Sequence, residues 1–174
     1  NAEFLNCRFL GSQDTLYTGG NAGYFRKCKI EGNTDYIFGS GDYVFDSCEL
    51  YFFGYSSSAA GGYITAARQQ EKGYLFYNCN ITGNSQQAVS PGFLGRPWRD
   101  TAKVMFLNTT IANGNLIRAE GWTSMSGVEP TQATFKEYGT KFADGTYLDL
   151  SPRKGIVLSA SDAATVTMES YLSG

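Results

Sequence analysis

Apolar and polar positions along this chain recur in one long frame. Five segments share it: AEFLNCRFLG (2–11), GYFRKCKIEG (23–32), DYVFDSCEL (42–50), YLFYNCNITG (74–83) and VMFLNTTIAN (104–113). Each carries a Phe (Phe4, Phe25, Phe45, Phe76, Phe106) three positions before a small residue, and an apolar side chain (Phe9, Ile30, Leu50, Ile81, Ile111) two positions after it. The small residue is Cys7, Cys28, Cys48 or Cys79, and Thr109 in the fifth copy, at steps of 21, 20, 31 and 30 residues. Periods of this length mark stacked repeats. Asn or Ser precedes the small residue in four of the five copies, and Asn tolerates the left-handed backbone of a sharp corner. The pattern therefore predicts a strand ending on an inward Phe, a corner, and a second strand opened by Cys and its apolar neighbour. No helical stretch separates the strands, so a parallel β-helix is expected rather than a βαβ sheet or a leucine-rich repeat.

In that frame the cysteines form a column of small core residues instead of two disulfides. The long steps each carry about ten extra residues, which GYSSSAAGG (54–62) and NSQQAVSPGFLGRPWRD (84–100) supply as insertions. Loops on a rigid scaffold are where sites usually sit. SASDAATVTMESYLSG (159–174) predicts one short C-terminal helix, with Ser and Asp at its start and Ala164, Val166, Met168 and Leu172 as its apolar positions. It is expected to pack over the outside of the coils, and residues 1–174 read as a single all-β domain.

Composition narrows the chemistry. Twelve Phe, 12 Tyr, 2 Trp and 21 Gly suit strands and turns. A net charge of −2 without a basic stripe argues against nucleic acid. No run of 18 apolar residues marks a membrane-spanning helix. The chain has no histidine, which removes Ser-His-Asp and Cys-His catalysis and the usual zinc ligand sets.

Acidic residues remain. Asp14 lies seven positions after Cys7 and Asp35 seven after Cys28, whereas Tyr55 takes that place in the third copy. Adjacent parallel strands lie about 4.8 Å apart, so the two carboxylates are expected as close neighbours. Such a pair resists ionising together, which sets an acid beside a nucleophile or base at one pH. On the pair alone, catalysis stands beside three blander readings: an Asx turn, a Ca²⁺ site, and coincidence within a repeat. Strict alternation would also put Asp14 inside with Leu16, so a bend is expected between them.

The motifs GSQDTLYT, GNTDYIFGSG, YITAARQ and FLGRPW occur in the order found in pectin methylesterases, and the chain resembles that family over essentially its whole length, through EGWTSM and the closing YLSG. The resemblance implies a right-handed parallel β-helix and hydrolysis of methyl esters of galacturonate units in pectin, with methanol released. By the same resemblance Asp35 is the nucleophile and Asp14 the general acid and base. Arg96 orients the nucleophile, and Gln13 donates to the oxyanion. Trp98, Tyr17, Phe38 and Trp122 contact substrate, with Met125 a further candidate. No metal or organic cofactor is implied, the partner is methylated pectin, and the protein is expected to be a secreted monomer. Family members also have opening coils, an N-terminal helix and a second oxyanion glutamine, which are expected to lie outside this sequence.

Two other readings compete. One is a β-helix pectin hydrolase or lyase, the lyase needing Ca²⁺ and a basic residue. The other is a non-catalytic, carbohydrate-binding β-helix fragment. The mildly acidic chain is also expected to repel de-esterified product, a polyanion, and so to favour methylated substrate.

Overall fold

The computed structural model describes residues 1–55, 61–112 and 115–172. Among these residues, short strands form three parallel sheets of seven, six and four strands. The first sheet runs Ala2–Leu5, Ala22–Arg26, Asp42–Asp46, Tyr74–Tyr77, Lys103–Leu107, Thr134–Tyr138, Ile156–Val157. The second runs Arg8–Leu10, Lys29–Gly32, Glu49–Phe52, Asn80–Gly83, Thr110–Ile111, Lys141–Phe142. The third runs Leu16–Thr18, Ile37–Gly39, Tyr63–Ala67, Phe93–Pro97. Sequence order and spatial order agree in every sheet, because successive coils add at most one strand to each wall, and the third wall ends at its fourth strand. The fold is a parallel β-helix.

The repeat frame sets its interior. Register pairs Phe4, Phe25, Phe45, Phe76 and Phe106 in succession, and their rings stack at centroid distances of 4.7, 4.9, 4.5 and 4.4 Å. Each such contact adds about 0.5–1.5 kcal/mol beyond burial. The corner after each Phe strand is one left-handed residue: Asn6, Lys27, Ser47, Asn78 and Asn108 have φ of 55, 52, 54, 53 and 55°. Lys27, the copy without Asn or Ser, takes the same conformation. All four cysteines are free. The thiols of Cys28, Cys48 and Cys79 donate to the carbonyls of Phe4, Phe25 and Phe45 in the preceding coil, at 3.5, 3.4 and 3.1 Å. Thr109 continues this column, but its buried hydroxyl has no partner.

The Phe column ends on a charge. Glu137 pairs in register with Phe106 and is buried against Arg153, whose Nε and Nη2 donate to its carboxylate at 2.8 and 3.3 Å. Thr140 donates to the same carboxylate at 2.6 Å.

Two expectations change. Residues 84–100 do not form a loop insertion. Asn84 caps a short helix, Ser85–Val89, and Phe93–Pro97 is the fourth strand of the third sheet. Its alternation is masked in the sequence by Gly95, whose Cβ would sit 2.0 Å from Thr65 Oγ1; that hydroxyl instead donates to the Leu94 carbonyl. Of the other expected insertion, residues 56–60 lie outside the described residues. The C-terminal helix is two helices, Ala160–Ala164 and Met168–Leu172. Ser159 caps the first, and Thr165 closes it by donating its hydroxyl back to the Asp162 carbonyl at 2.7 Å. Residues 173–174 lie outside the described residues. Ala163, Val166, Met168 and Tyr171 pack on Val44, Leu75, Met105 and Leu107 of the first sheet, over the outside of the coils.

Candidate active site

The third sheet positions the acidic pair. Its register aligns Leu16, Ile37, Thr65 and Gly95 in one row and Tyr17, Phe38, Ala66 and Arg96 in the next. Alternation sends the first row into the core, where Ile37 and Thr65 are fully buried, and the second outward, where Tyr17 is 62% exposed. Trp122 bridges to Gly95 and so joins the inward row. It is fully buried and stacks on Phe135 at 4.3 Å. Trp122, expected at the substrate, is therefore a core residue, because register gives it the inward side.

The bend expected beside Leu16 is a single residue. Asp14 and Asp35 have φ of 54 and 50°, a left-handed conformation that Asp visits more readily than most residues. One such residue reverses the pleat, so each carboxylate leaves the core while Leu16 and Ile37 point in. Asp14 is exposed, and its N–H donates to the Thr34 carbonyl at 3.1 Å, one coil on. Gln13, also exposed, bridges in parallel to Thr34. The Gly39 of DYIFG serves the same local geometry: its φ is +119°, and a Cβ there would lie 2.2 Å from the Thr18 carbonyl.

Asp35 is 5% exposed, a placement that a lone carboxylate resists. Arg96 compensates it. Its Nε and Nη2 donate to the two carboxylate oxygens at 2.9 and 2.7 Å, joining residues 61 positions apart. The bond to Asp35 pushes the Arg96 pKa above its ordinary value, and nearby Asp14 adds to the effect. Both oxygens of Asp35 are thus engaged by a guanidinium, so the Ca²⁺ reading would need the cation to displace it. The Asx-turn reading also fails for Asp35, since its carboxylate partners are on Arg96.

Tyr63, which the sequence reading missed, supports Arg96 from the other side, 3.9 Å from guanidinium carbon to ring centroid. It stacks in turn on Phe93 at 5.7 Å. The available signal was register: Tyr63 precedes Thr65 by two, as Asp35 precedes Ile37. Tyr17, Phe38 and Trp98 form a continuous wall beside the acids, with centroid distances of 5.1 and 6.3 Å. Trp98 follows directly on the fourth strand, is half-buried, and donates its backbone N–H to the Ala67 carbonyl at 2.9 Å. The structure brings Asp35, Arg96 and the Tyr17–Phe38–Trp98 wall onto one face, with Asp14 and Gln13 on the adjoining coil.

Fold and face together define a class: a parallel β-helix whose exterior carries a clamped carboxylate, a second acid one coil away, and an aromatic wall. A family-wide profile of the pectinesterases matches residues 1–174. The chain belongs to the pectinesterase family. Probable pectinesterase A of Neosartorya fischeri is 36% identical over 174 residues, covering 97% of this chain and 49% of that protein. The crystal structure of the Aspergillus niger pectin methylesterase, 34% identical, matches with a TM-score of 0.72 over 88% of this chain and 49% of that one. A pectin methylesterase in complex with a hexasaccharide, 28% identical, matches with a TM-score of 0.81 over 98% of this chain and 56% of that one. The chain spans about half the length of the curated relatives it matches.

Proposed function

We propose that this chain carries the catalytic face of an enzyme that hydrolyses methyl esters of galacturonate units in pectin, and that Asp35 is its nucleophile. The observation that carries the reading is the fork of Arg96 on a nearly buried Asp35. The fork fixes the direction of the carboxylate, and the left-handed corner aims it out of the core. A positioned carboxylate of this kind attacks a carbonyl carbon. The attack opens the ester C=O to a tetrahedral oxyanion, for which exposed Gln13 supplies an amide donor. Asp14, in its acid form, gives its proton to the departing methoxy oxygen as methanol leaves, and an anhydride joins the sugar carboxyl to Asp35. Asp14, now a carboxylate, takes a proton from water, whose oxygen attacks the anhydride and returns Asp35 to its starting state. Atoms and charge balance without a metal or an organic cofactor.

The aromatic wall suits the substrate, because sugar rings present apolar C–H faces to aromatic planes. The related pectin methylesterase solved with a hexasaccharide supports the same class of ligand. Asp14, Asp35 and Arg96 come from one chain, so the site fits a monomer, and membership of this family supports action outside the cell.

Methanol release from highly methylated pectin tests the reading. The parent chain is expected to release methanol without shortening polygalacturonate, and Asp35→Asn to lower the rate roughly 10⁴-fold at unchanged fold by circular dichroism. Chain shortening by the parent, or an Asp35→Asn variant with parental rates, would overturn it.

A further inference from the structure

We propose that Tyr63 is a positioning residue: its ring, seated on Phe93, holds the Arg96 guanidinium on Asp35 and keeps it off Asp14. The inference rests on the reading that the two acids play different parts in one reaction, and adds what makes two matching corners unequal. Both corners have the same backbone, with φ of 54 and 50°, and they precede neighbouring strands of the third sheet. Arg96 starts further away. It belongs to the fourth strand of that sheet and pairs with Ala66 of the third. To reach Asp35, beside the second strand, its side chain crosses the intervening coil, a span of two strand spacings or roughly 10 Å.

The third coil suits that crossing. Along the outward row, Tyr17 and Phe38 are large and Ala66 is small. Ala66 faces outward yet is only 2% exposed, so its outer side is covered. A larger side chain there would lift Arg96 off the sheet. Tyr63 supplies the bed. It takes in the third coil the corner place of Asp14 and Asp35, and Phe93 takes it in the fourth. The Arg96 guanidinium carbon stands 3.9 Å from the Tyr63 ring centroid, the shortest cation–ring distance among the described residues. The Tyr63 ring is backed in turn. It lies 9° from parallel to Phe93, and Arg118 covers Phe93 at 5.5 Å while donating from Nε to the Pro91 carbonyl at 2.9 Å.

Arg96 has two carboxylates within its influence. It grips Asp35 through Nε and Nη2, and Asp14, one coil further on, adds to the rise in its pKa. Charge alone does not choose between them, and Asp14 is the more exposed. A guanidinium held against a fixed aromatic face gives up side-chain freedom, and this hold stops Arg96 at the nearer acid. Without the ring the side chain is free to swing to Asp14. It would then occupy the group that must give its proton to the departing methoxy oxygen. Tyr63 thus separates the roles of the two acids by acting through Arg96.

Arginine Nε–H signals in NMR spectra and methanol-release kinetics test this together. Arg96→Lys identifies the Arg96 signal by its loss. Tyr63→Leu keeps apolar bulk but removes the ring face. It should move the Arg96 signal and lower kcat roughly tenfold, the scale of a desolvated cation–π contact, with KM little changed. Tyr63→Phe, which restores the ring, should recover most of the loss. Asp14→Asn should move the Arg96 signal in the Tyr63→Leu variant and leave it in place where Tyr63 is present. In an Arg96→Lys background, Tyr63→Leu should lower kcat by a further factor of roughly two at most. Parental kcat in Tyr63→Leu with the Arg96 signal unmoved would overturn the inference. So would equal losses in Tyr63→Leu and Tyr63→Phe, or a loss fully additive with Arg96→Lys, which would bypass the arginine. The esterase reading fails separately: no methanol from the parent, with the Arg96 signal still dependent on Tyr63, removes the reaction and leaves the positioning.

Discussion

Arg96–Asp35 and Arg153–Glu137 are nearly the same object in two settings. Each is a guanidinium forked onto a carboxylate, at 2.9 and 2.7 Å in one and 2.8 and 3.3 Å in the other. The side chains of Arg153 and Glu137 are 3% and 2% exposed, those of Arg96 and Asp35 23% and 7%. Arg153 spends its remaining Nη1 on the carbonyls of Arg118 and Ala119, and Glu137 also takes the Thr140 hydroxyl. Nothing is left over, and Glu137 occupies the place a sixth stacked Phe would take. That pair closes the core. Arg96 instead keeps one edge open to solvent, leans on Tyr63, and has a second carboxylate nearby. The lesson is that a buried ion pair becomes a candidate site through unspent capacity and access, not through its short distances.

Removing one partner at a time separates the two roles. Arg153→Ala leaves a buried carboxylate unpaired, and is expected to cost about 3–5 kcal/mol of stability, read as a lower urea midpoint. Arg96→Lys keeps a charge but loses the fork. It should lower kcat for methanol release by roughly 10²-fold, about 2.7 kcal/mol in the barrier, while the urea midpoint moves little. If Arg96→Lys instead destabilises as much as Arg153→Ala, the contrast collapses and both pairs are structural. The smallest effect belongs to a third pair, Arg26–Asp46 at 3.6 Å, whose Arg side chain is 52% exposed. Arg26→Ala should shift stability by no more than about 0.5 kcal/mol and leave methanol release unchanged.

The same contrast explains what could be seen in the sequence. The Phe and Cys columns are repeated, so their frame was legible, and it put Asp14 and Asp35 on equivalent corners without any knowledge of the fold's relatives. Arg96 was not reachable that way: it lies 61 residues from Asp35, and only the resemblance of its GRPW motif pointed to it. Trp122 misled because its motif, EGWTSM, follows no repeat from which a side could be read; a bridge to Gly95 decides it. Residues 84–100 misled for a related reason, since a strand with Gly95 in its inward row shows no alternation. The C-terminal segment has the apolar positions of one helix, but Thr165 ends it early with a local bond. Tyr63 needed pairing information that periodicity does not carry. Repetition reveals what recurs, while the residues that make one coil different must be placed by register.

One further property comes from the uncrosslinked cysteine column. A solenoid opens by losing coils, each held mainly by its neighbours. Cys7 is half-buried, and Cys28, Cys48 and Cys79 are sealed, so the first four coils carry one thiol each. Burial pushes the Cys28 and Cys79 thiols up, away from the reactive thiolate. The column is thus a clock built into the chain: the order in which its sulfurs become available to a thiol reagent records the order in which the first four coils come apart.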